Sequence, residues 1–180
     1  MQAAIRLADA ADAAAIAAIY RPYVEETRIS FEEVAPDAGE MERRIRGDMR
    51  GYHPWFVAEE HGRLLGFASS SPFRARHAYR WTVETGIYLS PGAVGRGLGR
   101  QLLSRLVDTL EAQGYVAAIG AIALPNEASV ALHERLGFTH NGTYQQVGFK
   151  MGEWLDVGLW QRELAQRSSA PQEPRRFDQV

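Results

Sequence analysis

Apolar residues recur along this chain with two periods, and the switches between them mark its elements. Alternation over Ala3 to Leu7 predicts a short strand. Asp9 is placed to cap the next segment, with Asp12 three residues on. Ile16, Ile19, Tyr20 and Tyr23 share one face of a helix over Ala13 to Tyr23, with Pro22 near its end. Thr27 to Phe31 is a polar loop carrying one large aromatic. Pro36 and Asp37 announce a second helix, Gly39 to Met49, with Met41, Ile45 and Met49 on one face and a solvated Arg- and Glu-rich face opposite. Pro54 to Glu59 and Leu64 to Ser70 read as an antiparallel strand pair turned at His61-Gly62.

The second half repeats the alternation of periods. Tyr79 to Leu89 reads as a strand. Leu98, Leu102, Leu103, Leu106, Val107 and Leu110 then line one face of a helix that ends at Gln113, with Gly114 in the place of a helix-terminal glycine. Tyr115 to Leu124 is an almost unbroken apolar run, as expected of a strand covered on both faces. Strand, helix and strand in that order predict a parallel pair. Pro125-Asn126 opens another helix, capped by Asn126 and stopped by Gly137. Two final strands, Phe138 to Phe149 and Glu153 to Glu163, turn at Lys150-Met151-Gly152. The whole predicts an α/β (α+β) domain.

Composition narrows this. The 180 residues suit one well-buried domain over residues 1–166. Residues 167–180 turn Ser-, Pro-, Gln- and Arg-rich and read as a disordered tail. A net charge of −2 argues against general nucleic-acid binding. No apolar run is long enough to span a bilayer, and Met1 to Arg6 has no signal-peptide shape, so a cytoplasmic protein with no membrane partner is expected. Cysteine is absent, which removes disulfides, thiolate metal sites and a cysteine nucleophile. No metal site is expected.

Candidate chemistry centres on Gly92-Ala93-Val94-Gly95-Arg96-Gly97-Leu98-Gly99-Arg100, between a strand and a helix. Such a loop leaves backbone N–H groups bare at a helix N-terminus, which favours a phosphate. A Walker loop needs Lys-Ser or Lys-Thr after its last glycine, and Leu98-Gly99 stands there instead. The dinucleotide fingerprint needs G-x-G-x-x-G and an acidic residue about 20 positions on; neither is present. The pyrophosphate loop of an acyl-CoA enzyme remains, and a tight βα turn with glycines for close packing fits the loop equally well. Upstream, Glu84 is a carboxylate within an apolar strand, on one face with Thr82, Gly86 and Tyr88. Arg74 and Arg76, at i and i+2 in an extended segment, suit an anion or a solvated turn. Phe31 reads as a core plug or a pocket wall, and His133 as a helix-surface histidine or a catalytic one.

Several segments together carry a family resemblance: Ile29-Ser30-Phe31-Glu32, Ser71-Pro72-Phe73-Arg74-Ala75-Arg76, Arg80-Trp81-Thr82-Val83-Glu84, Ala128 to Phe138 (Ala-Ser-Val-Ala-Leu-His-Glu-Arg-Leu-Gly-Phe) and Gly158-Leu159-Trp160-Gln161-Arg162. They resemble the phosphinothricin N-acetyltransferase family of the GNAT superfamily, over roughly Ile5 to Leu164. The resemblance implies a GNAT acyl-CoA N-acyltransferase fold: a mixed, mostly antiparallel twisted sheet flanked by helices, with one splayed parallel pair. It implies acetyl-CoA as donor, and as acceptor the α-amino group of a small amino acid such as phosphinothricin, methionine sulfone or methionine sulfoximine. Herbicide resistance and a homodimer belong to the same implication. Carried over, Glu84 is the candidate general base and His133 a second catalytic candidate. Phe31, Arg74, Arg76, Glu84 and Tyr88 are candidate acceptor contacts. Ile87, Tyr88, Leu89, Val94, Gly95, Arg96, Gly97, Leu98, Gly99, Arg100, Asn126 and Ser129 are candidate acetyl-CoA contacts. Val94 departs from the superfamily loop, which carries Gln or Arg at that position; Arg96 and Arg100 are the nearby sources of charge. The chemistry expected is direct transfer in a ternary complex, with a backbone N–H near Tyr88 or Leu89 stabilising the thioester oxygen. Transfer to another amine, such as a protein N-terminus, and a CoA-binding module without catalysis are the alternatives.

Overall fold

The computed structural model describes residues 3–48 and 51–180. A seven-stranded sheet forms its centre, built of β1 (Ala4–Leu7), β2 (Trp55–Glu60), β3 (Arg63–Pro72), β4 (Thr82–Leu89), β5 (Ala117–Leu124), β6 (Thr139–Lys150) and β7 (Glu153–Glu163). The strands lie in the order β1-β2-β3-β4-β5-β7-β6. Every neighbouring pair is antiparallel except β4 and β5. The strand–helix–strand unit through the glycine loop supplies that parallel pair, as the apolar pattern predicts.

Helices cover both faces. On one face α3 (Leu98–Gln113) presents Leu102, Leu103, Leu106, Val107 and Leu110 to Ala58, Ala68, Val83 and Ala118. All five are fully buried, and each such side chain contributes roughly 1.5–3 kcal/mol of transfer free energy. On the other face α1 (Ala13–Glu25) and α2 (Ala38–Asp48) bury Ile16, Val24, Met41 and Ile45 against Val57 and Phe67. The fourth helix, α4 (Glu127–Arg135), lies over β5 and β7. No described helix is long and apolar enough to cross a membrane.

Several boundaries move. α1 continues through Pro22 to Glu25, because the proline costs only one helical donor and Glu26 N–H still bonds Pro22 O at 2.9 Å. α2 begins at Ala38, and Met49 lies outside the described residues. β4 starts at Thr82 rather than Tyr79: His77–Tyr79 is a 3-10 turn, closed by Arg80 N–H on His77 O. The expected tail runs along the body with little regular structure. Gln172 O accepts from Trp81 Nε1, Glu173 pairs with Arg80, and Arg175 N–H bonds Gln113 O at 2.7 Å.

The feature that shapes the site is where β4 and β5 part. Their register covers only Thr82–Glu84 against Ala117–Ile119. Beyond it β4 stays with β3 as far as Leu89, and β5 stays with β7 as far as Leu124. Each strand follows its own antiparallel partner, so a gap opens past Glu84. Thr85 Oγ1, 3.3 Å from Ile119 O, spans its narrow end.

Candidate active site

A cavity of about 1110 Å³ occupies the gap and continues under α1 and α2. The bonds Ser90 N to Leu65 O and Phe73 N to Thr82 O fix the alternation along β4. Even-numbered residues spend their amides on β3, and odd-numbered ones turn theirs towards β5. The Tyr88 amide therefore faces β3, while those of Ile87 and Leu89 face the gap. Leu89 is partly engaged, since its N–H lies 3.3 Å from Tyr23 Oη and its carbonyl accepts from that hydroxyl at 2.6 Å. Ile87 is left to offer main-chain polar groups to a ligand.

At the mouth of the gap the chain enters α3 through the glycines. Gly95 and Gly97 have φ of +82° and +77°, and Gly97 is the N-cap of α3. A Cβ added at either would meet nothing within 4 Å, so both present bare backbone to open space. Gly99 differs: its Cβ would lie 3.3 Å from Leu132 Cδ2, so this glycine lets α4 approach. A helix N-terminus without a side-chain cap, preceded by left-handed glycines, fits a pyrophosphate.

Glu84 stands at the point of divergence, half-buried, and burial pushes its carboxyl above the ordinary carboxylate range. His133 comes from α4. Its Nδ1 lies 2.8 Å from Ser129 O, and a carbonyl only accepts, so Nδ1 carries the proton. In the neutral ring Nε2 is then a buried acceptor with no hydrogen-bond partner among the described residues. Burial lowers the pKa of His133, and the bond to Ser129 opposes this. The Cδ2–Nε2 edge of the ring abuts Gly120, where a Cβ would be 2.6 Å from both atoms. Glu84 is in register with Ile119, so Gly120 points to the opposite face of the sheet. The two catalytic candidates thus approach the gap from opposite faces.

The structure gathers twelve predicted residues around this cavity: Glu84, Ile87, Tyr88, Leu89, Val94, Gly95, Gly97, Gly99, Arg100, Asn126, Ser129 and His133. Asn126 caps α4 by accepting from Ser129 N–H at 3.2 Å. Five others lie outside the lining. Leu98 is a core residue, and Arg96 pairs with Glu60 at 2.7 Å. Phe31 packs on Gly148, whose Cβ would fall 2.1 Å from its ring. Arg74 sits over the Phe73 ring and donates to Tyr144 Oη at 3.0 Å. Arg76 is exposed, and the segment bends rather than extends, so the two arginines do not form a parallel pair.

Sequence reasoning missed a charged group beside the cavity. Arg44 grips Glu32 through both terminal nitrogens at 2.7 and 2.9 Å, and its Nε reaches Glu40 at 2.8 Å. Tyr20 Oη donates to Glu32 at 2.9 Å and touches Ser30 Oγ at 2.6 Å. Arg44 holds the Glu32 carboxyl below its usual range. Lys150, buried, reaches in from the β6–β7 turn and donates to Val24 O and Ser30 O at 2.7 and 2.6 Å. The loop through Phe31 is thereby fastened to α1, α2 and the β6–β7 hairpin. On α2 the Arg and Glu spacing carried no signal beyond a solvated face. Among the described residues no group of His, Cys, Asp and Glu is arranged to hold a metal.

Comparison with known proteins agrees with this geometry. The model of the acetyltransferase (GNAT) domain matches residues 5–159. A phosphinothricin N-acetyltransferase of Streptomyces viridochromogenes is 42% identical over 164 residues, covering 89% of this chain and 87% of that one. An L-methionine sulfoximine/L-methionine sulfone acetyltransferase of Salmonella typhimurium is 37% identical over 165 residues, covering 92% and 96%. A crystal structure of a GNAT superfamily phosphinothricin acetyltransferase from Sinorhizobium meliloti, in complex with acetyl-CoA, superposes with a TM-score of 0.91 at 41% identity, covering 96% and 95%. Splayed parallel strands, a bare glycine N-terminus and these likenesses agree, and the chain belongs to the GNAT acetyltransferase family, on the branch of the phosphinothricin N-acetyltransferases.

Proposed function

We propose that this protein transfers the acetyl group of acetyl-CoA to the α-amino group of a small glutamate- or methionine-like amino acid, of the phosphinothricin, methionine sulfone or methionine sulfoximine type. The observation that carries the reading is the placement of Glu84. A half-buried carboxyl stands where β4 and β5 part, between a glycine N-terminus suited to a pyrophosphate and a cavity under α1 and α2. Relatives named for those acceptors are similar over most of the chain.

The chemistry follows from charge. An ammonium has no lone pair, so one of its protons passes to the Glu84 carboxylate. The freed nitrogen bonds to the thioester carbonyl carbon, the C–S bond breaks, and the sulfur leaves with the electron pair. The nitrogen gives up a second proton and the thiolate takes one, for a net release of one proton. The second proton leaves to solvent or to His133, which lines the cavity from the opposite face with its Nε2 buried against Gly120. The Ile87 N–H faces the gap where the thioester oxygen gathers charge. With no cysteine in the sequence, direct transfer in a ternary complex is the simplest route.

A thiol-release assay with acetyl-CoA, the three named acceptors, ordinary amino acids and a peptide N-terminus tests this. Turnover is expected with the small acceptors. Turnover with the peptide alone, or binding of CoA without turnover, overturns the reading in favour of a different amine or a CoA-binding module. Arg74, the acceptor contact that the resemblance implies, lies outside the cavity lining over Phe73 and against Tyr144, so Arg74→Ala is expected to leave the KM of acceptor and of acetyl-CoA within about twofold of wild type. An acceptor KM raised about tenfold would show that Arg74 leaves Tyr144 for the acceptor.

The same reading includes a homodimer, a cytoplasmic setting where acetyl-CoA is made, and herbicide resistance as a consequence of acting on phosphinothricin. The dimer is supported by the exposed apolar residues Val147, Phe149, Met151 and Trp154 on the β6–β7 hairpin, with Phe149 and Trp154 in ring contact at 5.3 Å. Light scattering is expected to give two chains per particle, and one for Trp154→Glu. A monomeric wild type would rule the dimer out.

A further inference from the structure

We propose that Ser69 and Ser71 of β3, together with Glu84, seat the acceptor's amino group over Gly86. The proposal rests on the acetyl-transfer reading and names residues that it leaves without a role.

In the β3–β4 register Ser69 lies opposite Gly86, and Ser71 lies opposite Glu84. By the alternation along β4 both are hydrogen-bonded pairs, whose Cα atoms are about 5.5 Å apart and whose side chains share a face. That face is the one turned to α1 and α2, where Phe67 and Tyr88 pack, and Ser69, Ser71 and Glu84 are among the residues lining the cavity there. Ser70, between them, points the other way, is 1% exposed and donates to Pro54 O at 3.3 Å. Among the described residues no protein partner engages the hydroxyls of Ser69 and Ser71.

Gly86 makes room between these groups. A Cβ there would lie 3.4 Å from Ser69 Oγ and 3.5 Å from Tyr88 Cε2. The space a side chain would have taken is bounded by the Ser69 hydroxyl and the Tyr88 ring edge, and the Ser71–Glu84 pair stands next along the same face, two residues away on each strand. An ammonium carries three N–H donors, and the carboxylate and two hydroxyls supply three acceptors. The nearby carboxylate favours binding the amine in its charged form. One proton then goes to Glu84, and rotation about the Cα–N bond turns the freed lone pair towards the thioester. The two hydroxyls keep the nitrogen in place as this happens, because a hydroxyl both donates and accepts.

The test compares Ser69→Ala, Ser71→Ala, the double variant, Ser71→Thr and Gly86→Ala in steady-state kinetics. Inhibition by the acceptor's deaminated analogue, which keeps the carboxylate and side chain but lacks nitrogen, is measured alongside. Each alanine variant of a serine is expected to lose about tenfold in kcat/KM for the acceptor, and the double variant about a hundredfold. The KM for acetyl-CoA and the Ki of the analogue should stay constant, because neither depends on the amino group. Ser71→Thr should restore most of the activity, and Gly86→Ala should reproduce the acceptor-specific loss by filling the seat. Alanine variants within about twofold of an active wild type, or an analogue Ki that weakens in parallel, overturn the seat alone. A wild type that acetylates no amino acid overturns the acetyl-transfer reading and the seat with it.

Discussion

Glu84→Gln is expected to lower kcat by on the order of 10²–10⁴, the usual worth of a positioned general base, with little change in the KM for acetyl-CoA. Glutamine keeps the shape and packing of the side chain and removes only its capacity to take a proton. Stability gives an independent reading of the same variant. Burial raises the Glu84 pKa in the folded state, so this residue favours folding when protonated, and that contribution is lost as pH rises through the folded value. At neutral pH the substitution removes an unfavourable buried charge. The melting temperature of Glu84→Gln is therefore expected to match or exceed the wild type, and a loss of rate cannot then be laid to unfolding. The acid limb of kcat/KM should lie above the ordinary carboxylate value of about 4.3 for the same reason. An unchanged kcat would take Glu84 out of the chemistry.

Gly97→Val is expected to raise the KM for acetyl-CoA by about 10- to 100-fold while changing acceptor binding little. Its φ of +77° lies in the left-handed region, where a side chain costs roughly 1–2 kcal/mol, and more for a β-branched one. The valine would also project into the space beyond the N-cap of α3, where the bare amides face outward. Gly92→Ala is the control. It too has open space at its Cβ, but its φ is not positive, and its KM values are expected to stay at wild type. If Gly97→Val leaves the KM for acetyl-CoA unmoved, the loop is a packing turn and the donor's phosphates lie elsewhere.

How much of this was legible in the sequence depended on whether a signal was local. The glycine loop was, because left-handed backbone and a following amphipathic helix are written in consecutive residues. Glu84 was, because a carboxylate in an apolar strand stands out within ten residues. Arg44 was not: at its own position it is one more charge on a solvated helix face, and only the docking of α2 against the loop at Glu32 brings it to the cavity. Arg96 shows the converse. Its place in the loop marked it for a phosphate, and Glu60, 36 positions earlier, holds it in an ion pair. Ser69 and Ser71 look like any strand serines until the register sets them beside Glu84 and the missing side chain of Gly86.

By itself, then, the sequence determined the elements, their order and the single parallel pair, since hydrophobic period, caps and chain connectivity are properties of neighbouring residues. It marked the glycine loop and Glu84 as candidates for the same reason, and the family resemblance supplied their reading as donor loop and base. A splayed parallel pair was implied by the family resemblance, but only the tertiary structure decided that β4 and β5 part at Glu84, because each obeys a different antiparallel partner. It alone decided that His133 faces Glu84 from the opposite side of the sheet, and which charges are cancelled before any ligand arrives. Those outcomes depend on register and on contacts between residues dozens of positions apart, which no local pattern encodes.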